Sequence, residues 1–316
     1  MYAIRVHEHG GTETLSGEEI PRPEPNDDDL LVRVEAAGVN PIDWMAREGY
    51  ADDALDPALP YVPGWDLSGV VEQTGEEVSA FEPGDEVFGL VGMPDPGETY
   101  AEYAPVPATD VVEKPESIGH HAAAAVPMAA LTARRALFEE ADLRGGERVL
   151  VHAAAGGVGH FAVQLADHVD AEVVGTASAR NASFLADLGV DDFVDYRSRR
   201  FEAVVDDVDV VLDCVGGETL ARSVDVVAEG GRLVTLPEPP TDAVVERART
   251  ERNATVDWFS VEPDAAALAE LRDLAVDGVI RPTVSGVWPL SEAGAVHEES
   301  ASGHVRGKLV LSVGEP

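Results

Sequence analysis

Apolar and polar positions along the chain follow two patterns. Up to about residue 118, apolar residues recur at every second position in short runs. Residues 30–36 (LLVRVEA), 67–73 (LSGVVEQ), 85–90 and 100–106 (YAEYAPV) read as strands, and so does the N-terminal MYAIRV. Gly and Pro punctuate them, as at Pro83-Gly84. Many short strands with such turns predict a compact barrel-like β domain.

From about residue 119 the pattern changes. Residues 120–138 are rich in Ala and Leu and predict a helix. Strands then alternate with helices: strands at 147–152, 171–176, 193–196, 209–214, 232–236 and 255–259, and helices at 159–168, 181–188 and 218–228. Strands that are continuous Val/Leu runs imply a parallel sheet covered on both faces, and right-handed crossovers make it doubly wound. The remainder predicts one helix at 264–276 and a last strand at 308–313. The fold class is therefore α/β, divided as 1–118, 119–260 and 261–316, with a β-rich first part and a doubly wound nucleotide-binding second part.

Charge narrows the functions open to this fold. The 316 residues hold 60 Asp and Glu against 22 Lys and Arg, a formal net charge of −38. Binding to nucleic acid or anionic lipid rests on cations neutralising phosphates, so both are excluded as partners. Lysine occurs at Lys114 and Lys308 alone. Acids dispersed over a folded chain repel one another in dilute buffer, and salt screens that repulsion. The expectation is a protein adapted to molar salt. The single cysteine, Cys214, permits no internal disulfide and no cysteine metal cluster, and is expected to be a small buried apolar side chain. The N-terminus does not read as a signal peptide, and no apolar run approaches a membrane span. A soluble, cytoplasmic protein is expected.

The segment Val149-Leu150-Val151-His152-Ala153-Ala154-Ala155-Gly156-Gly157-Val158-Gly159 carries the clearest chemistry. A strand ends, small residues turn, and a helix starts. Glycines let the backbone approach a pyrophosphate, which the helix N-terminus receives with unpaired N–H groups. Ala155, Gly156, Gly157, Val158 and Gly159 are the candidate cradle. An NAD site would place an acid at the end of the next strand, but here it ends Gly175-Thr176-Ala177-Ser178-Ala179-Arg180. Ser178 and Arg180, with Tyr196, Arg197, Arg199 and Arg200 after the third strand, suggest an anion site for a 2′-phosphate. The cofactor expected is NADP(H). Val215 and Leu236 follow strands at the edge where open α/β sheets bind ligands.

These residues resemble the medium-chain dehydrogenase/reductase superfamily, in its zinc-free, ζ-crystallin-like quinone oxidoreductase branch. The likeness covers almost the whole chain: Gly38-Val39-Asn40-Pro41-Ile42-Asp43, Pro63-Gly64-Trp65-Asp66, Gly84-Asp85-Glu86-Val87-Phe88-Gly89, Leu131-Thr132-Ala133, the glycine turn, Asp213-Cys214-Val215-Gly216-Gly217 and Gly303-His304-Val305-Arg306-Gly307-Lys308. The resemblance implies a GroES-like catalytic domain, made from the first and last segments, with a Rossmann domain inserted and the active site between them. It implies a homodimer or homotetramer. Zinc alcohol dehydrogenases place a Cys near position 40 and Gly-His-Glu at 64–66, where this chain has Gly64-Trp65-Asp66. No metal is therefore expected.

The resemblance also places Asn40 beside the nicotinamide ribose or the substrate and Thr132 near the nicotinamide. The alternative for Asn40, the first polar candidate, is a turn residue before Pro41. Tyr50 could donate to a substrate oxygen or simply pack as a loop aromatic. Asp43 resembles a position of the superfamily too, but near Arg47 at helical spacing it reads as easily as one half of a surface pair. Trp258, Phe259 and Ser260 should border the nicotinamide, and the strand before them could pair with a second subunit. Arg306 and Lys308 could reach the cofactor phosphates, although Lys308 begins a strand and could simply be solvated. Without a Lewis acid, the chemistry that fits is hydride transfer from NADPH to a quinone or an α,β-unsaturated carbonyl. The alternatives are an alkenal or enoyl double-bond reductase, a zinc-free alcohol dehydrogenase-like protein, and a cofactor-binding structural or regulatory protein.

Overall fold

The computed structural model describes residues 1–50 and 57–314. The chain forms two compact units: Met1–Leu131 with Glu262–Pro316, and Thr132–Val261. The division falls later than the change of sequence pattern near residue 119, because the helix that starts there packs on the strands of the first unit.

In chain order the first unit begins with β1 (Tyr2–Val6), β2 (Leu15–Glu19), β3 (Asp29–Val39), α1 (Pro41–Glu48), β4 (Asp66–Thr74), β5 (Glu86–Leu90), β6 (Tyr103–Pro107), β7 (Val111–Glu113) and α2 (His120–Ala124). Helix α3 (Pro127–Arg134) follows. The single helix expected over 120–138 is thus broken: Pro127 lacks the N–H to continue α2 and starts α3 instead, and Arg135–Glu140 ends as a π-turn.

The second unit holds β8 (Arg148–Val151), α4 (Gly157–His168), β9 (Glu172–Ala177), α5 (Ala182–Asp187), β10 (Asp192–Asp195), β11 (Val208–Asp213), α6 (Gly217–Ser223), β12 (Val227–Thr235), α7 (Asp242–Arg252) and β13 (Thr255–Trp258). Its sheet runs β10-β9-β8-β11-β12-β13 with every pairing parallel. In order along the chain that is 3-2-1-4-5-6, the doubly wound order of dinucleotide-binding folds, whose strand order reverses beside β8. Val149, Leu150, Val173, Val174, Val210, Val211 and Leu212 are all buried, as strands covered on both faces require.

The chain then returns to the first unit with α8 (Ala265–Val276), β14 (Val284–Pro289), α9 (Ala293–Ala301) and β15 (Lys308–Ser312). This return contains two helices rather than the one expected. Strand β15 pairs antiparallel with β3, completing the sheet β14-β15-β3-β4-β5-β7, with β6 also on β3. A side chain on Gly38 of β3 would meet the Ala124 carbonyl oxygen at 2.2 Å, so glycine lets α2 lie directly on the sheet.

Candidate functional site

The turn after β8 is built by its own backbone. Gly156 N–H donates to the Ala153 carbonyl at 2.8 Å, and Ala154 N–H donates to Thr176 O at 3.0 Å, tying the turn to the end of β9. Ala153 takes a left-handed φ of 50°. Gly159 is required: a Cβ there would stand 2.4 Å from Ala153 O and 2.8 Å from Ala154 Cα. The backbone of α4 therefore closes tightly on the turn. The first-turn amides of α4, on Gly157, Val158 and Gly159, have no intrahelical acceptors. Gly156, Gly157 and Val158 are half-exposed, whereas Ala155 is buried.

His152, which the sequence reading did not single out, locks this turn from below. Ser223 Oγ donates to Thr219 O at 2.8 Å, so it accepts the proton of His152 Nε2 at 3.0 Å. His152 Nδ1 then accepts from Thr176 Oγ1 at 3.0 Å. The ring is 1% exposed, and burial, aided by Arg222, lowers its pKa from 6.5 to about 3. It is a neutral strut between β8, β9 and α6.

The 2′-phosphate candidates gather where β9 and β10 end side by side, with Ala177 opposite Asp195. Ser178 starts the turn carrying Arg180, and Arg197 lies over the Tyr196 ring at 5.8 Å. Asp195 would be unwelcome beside a phosphate, but its carboxylate is engaged, chiefly by Ser198 and then by the N–H groups of Arg197 and Ala179, which lowers its pKa. Arg200 does not join the group as expected: it pairs with Glu202 at 2.6 Å, and Glu202 also holds Arg222. Arg199 is exposed on the same turn.

At the carboxyl ends of β11 to β13, Asp213 arranges the loop that carries Val215. Its buried carboxylate accepts from Val215 N–H at 2.9 Å and Gly216 N–H at 3.0 Å, and its carbonyl accepts from Leu236 N–H. Trp258 Nε1 donates to Leu236 O at 3.3 Å. Phe259 is buried under the Arg135 guanidinium, which also donates to Ser260 O at 3.1 Å. Val215, Leu236, Trp258, Phe259 and Ser260 thus belong to one edge of the sheet. Cys214 is only half-buried, not fully so as expected. Burial and the Asp213 carboxylate still push its thiol pKa well up, which keeps it protonated.

In the first unit, Asn40 is the N-cap residue of α1, with Pro41 in the first turn. It does more than turn the chain. Its Nδ2 donates to Asp66 Oδ2 at 2.9 Å, its Oδ1 accepts from Lys308 Nζ, and its N–H donates to Asp43 Oδ2 at 2.7 Å. Asp66 Oδ1 accepts from Met128 N–H at 2.9 Å. Asp66 is 0% exposed and Lys308 3% exposed, with Nζ 3.6 Å from Asp66 Oδ2. Burial pushes the carboxyl pKa up and the ammonium pKa down, and the pairing opposes both shifts.

Two expectations fall here. Lys308 is no solvated or phosphate-reaching lysine, since its ammonium is committed to Val39 O, Asn40 and Asp66. Asp43 and Arg47 are no surface pair. Asp43 is 0% exposed, bonded to Asn40 N–H and Tyr100 Oη, while Arg47 is buried and pairs with Glu48. Burial raises the Asp43 pKa to about 7. Tyr100 Oη donates to Asp43 at 3.0 Å, so it accepts from His297 Nε2 at 3.3 Å. Thr132 is buried, Arg306 half-buried, and Tyr50 71% exposed. Among the described residues no three His, Cys, Asp or Glu side chains converge on a metal position, and no helix is long and apolar enough to cross a membrane.

Comparison with known proteins agrees with this architecture. Residues 26–116 match the alcohol dehydrogenase GroES-like domain, and residues 188–311 match the family described as zinc-binding dehydrogenase. The chloroplast envelope quinone oxidoreductase homolog of Arabidopsis thaliana is 30% identical over 98% of each chain. The chain belongs to the medium-chain dehydrogenase/reductase superfamily. Among solved members, the quinone oxidoreductase of Coxiella burnetii is 36% identical, covers 99% of both chains and superposes with a TM-score of 0.94. The Escherichia coli quinone oxidoreductase, solved in complex with NADPH, is 27% identical over 99% of this chain and all of its own, with a TM-score of 0.89. The GroES-like match lies within the first unit, and the second unit holds the Rossmann-type parallel sheet.

Proposed function

We propose that this chain is an NADPH-dependent oxidoreductase that reduces quinones or α,β-unsaturated carbonyls without zinc. The observation that carries the reading is the glycine turn of β8–α4, tied through Thr176 to a corner bearing Ser178, Arg180 and Arg197. The residues fit the cofactor. Gly159 lets the helix reach the turn, the α4 amides would receive an anion, and the arginines would match a 2′-phosphate that an NAD-type acid would repel. When bound, NADPH supplies a hydride. Val215, Leu236 and Ser260 border the same sheet edge and would orient the ring, and Asn40 and Thr132 are proposed to meet the reacting end, as in the superfamily members that they resemble.

The residues do not fit a zinc ion. Asn40 and Asp66, which stand where the zinc enzymes that the chain resembles carry their Cys and Gly-His-Glu, are bridged by the Lys308 ammonium, which repels a dication. Quinone oxidoreductases among the relatives favour an already polarised acceptor. The protein is proposed to act as a homodimer or homotetramer in the cytoplasm, with the outer edge of β13 available for pairing.

The test is NADPH oxidation with 1,4-benzoquinone, 9,10-phenanthrenequinone and a 2-alkenal at molar KCl. Turnover with a quinone or the alkenal supports the proposal. NADPH binding without turnover on any acceptor would favour a cofactor-binding role instead.

A further inference from the structure

We infer that Lys308 is a positioning residue: together with Asp66 it fixes which way the Asn40 carboxamide faces, so that Asn40 meets the acceptor oxygen with its second N–H. The inference rests on the proposed reductase reading for its function and on geometry for its structure.

A carboxamide has two nearly isosteric ends, and an Asn with one partner can rotate by half a turn at little cost. Asn40 has opposite charges at its two ends. Its oxygen faces the Lys308 ammonium, and its nitrogen donates to Asp66 at 2.9 Å. A half-turn would set the amide hydrogens against the ammonium and the oxygen against the carboxylate. Both contacts would be repulsive, and burial leaves little water to screen them.

The charges are themselves anchored. Lys308 Nζ also donates to Val39 O at 2.8 Å, and Asp66 Oδ1 accepts from Met128 N–H at 2.9 Å. The Asn40 backbone is tied by its N–H to Asp43. One of the two Nδ2 hydrogens is used by Asp66, so the amide keeps one oriented donor.

Stability does not account for this arrangement. A buried ion pair is a weak source of stability and can be replaced by neutral groups of similar shape without loss. The chain has only two lysines, and one of them is buried here on an amide. Orientation of that amide is a role an apolar pair could not perform.

Lys308→Met alone would strand a buried carboxylate, so the informative variant is Lys308→Met with Asp66→Asn, which removes both charges, keeps one acceptor oxygen for Met128 N–H and turns a neutral amide nitrogen toward an Asn40 carboxamide that can then rotate to accept from it. The expected result is a thermal midpoint near that of the wild type and an unchanged KM for NADPH. The kcat with a quinone should fall roughly ten- to hundredfold, as for a misplaced reacting group. In an Asn40→Ala background the same pair of changes should cost no further kcat. Hydrogen exchange of the Asn40 side-chain amide, followed by NMR, should be slow in the wild type and fast in the double variant. Unchanged kcat, an equal loss in the Asn40→Ala background, or unchanged amide exchange would overturn the inference. Absence of turnover by the wild type would refute the reductase reading, while the amide exchange would still decide the positioning.

Discussion

A Cβ on Gly159 would stand 2.4 Å from the carbonyl oxygen of Ala153. That oxygen cannot retreat, because it already accepts from Gly156 N–H and sits in a residue with positive φ. Gly159→Ala should therefore cost about 1–3 kcal/mol, the usual penalty for overpacking, and weaken NADPH binding. At Gly156 the nearest atom to an added Cβ is 3.1 Å away and φ is −80°, so Gly156→Ala should cost less stability. Thermal unfolding and fluorescence titration with NADPH check both. Equal losses at the two positions would contradict the packing argument.

Cofactor preference should lie in Arg180 and Arg197 but not in Arg200. Removing a charge-assisted bond to phosphate costs about 1.5–3 kcal/mol, roughly a ten- to hundredfold loss of affinity. Arg180→Ala and Arg197→Ala should lose that much affinity for NADPH and little for NADH. Arg200, paired with Glu202, should tolerate Ala without a change in preference. Calorimetric titration with both cofactors reads the difference, and a large shift from Arg200→Ala would count against the assignment.

Acid should destabilise the fold through its buried histidines. His152 and His297 fall from 6.5 to about 3 in the folded state. Their contribution is present in full above pH 6.5 and is lost as pH falls from 6.5 to 3. Each adds a slope of about 1.4 kcal/mol per pH unit within that window. Asp43 works the other way. Its folded pKa is raised to about 7, so its contribution is largest at low pH and declines between pH 4 and 7. Urea unfolding at several pH values should give His297→Gln a shallower acid limb than the wild type. An unchanged slope would refute the assignment of a neutral, buried ring.

Much of this was legible from the sequence, for physical reasons. The strands of the second unit are continuous apolar runs such as RVLV and VDVVLD, and a sheet buried on both faces requires such runs. Helix α7, with the sequence DAVVERARTER, packs only a narrow apolar face, Val244 and Ala248, on the core and is otherwise mostly charged, too weak a pattern to predict a helix. Asn40 before Pro41 is legible as a turn residue, and it caps α1, whereas the burial of Asp43 and Lys308 is not legible in their neighbours along the chain. The partner that buries Lys308 lies 268 positions away, and no local spacing encodes that contact. Arg200 differs: its partner Glu202 is only two positions on, and side-chain direction rather than distance along the chain decides that pairing.

The net charge of −38 makes a separate demand. Self-repulsion of a folded polyanion weakens as salt shortens the screening length from about 10 Å at 0.1 M to about 3 Å at 1 M. The unfolding midpoint should therefore rise between dilute and molar KCl. NADPH affinity should fall less steeply with salt than the arginines alone would dictate, because screening also relieves the long-range repulsion of the cofactor. A stability independent of KCl would refute adaptation to salt.

The central claim is tested most directly by steady-state reduction of 9,10-phenanthrenequinone at molar KCl, with NADPH and NADH compared on protein treated exhaustively with a chelator. Undiminished turnover after chelation, with a higher kcat/KM for NADPH than for NADH, is the predicted result. Loss of turnover that zinc restores, or equal use of the two cofactors, would contradict it.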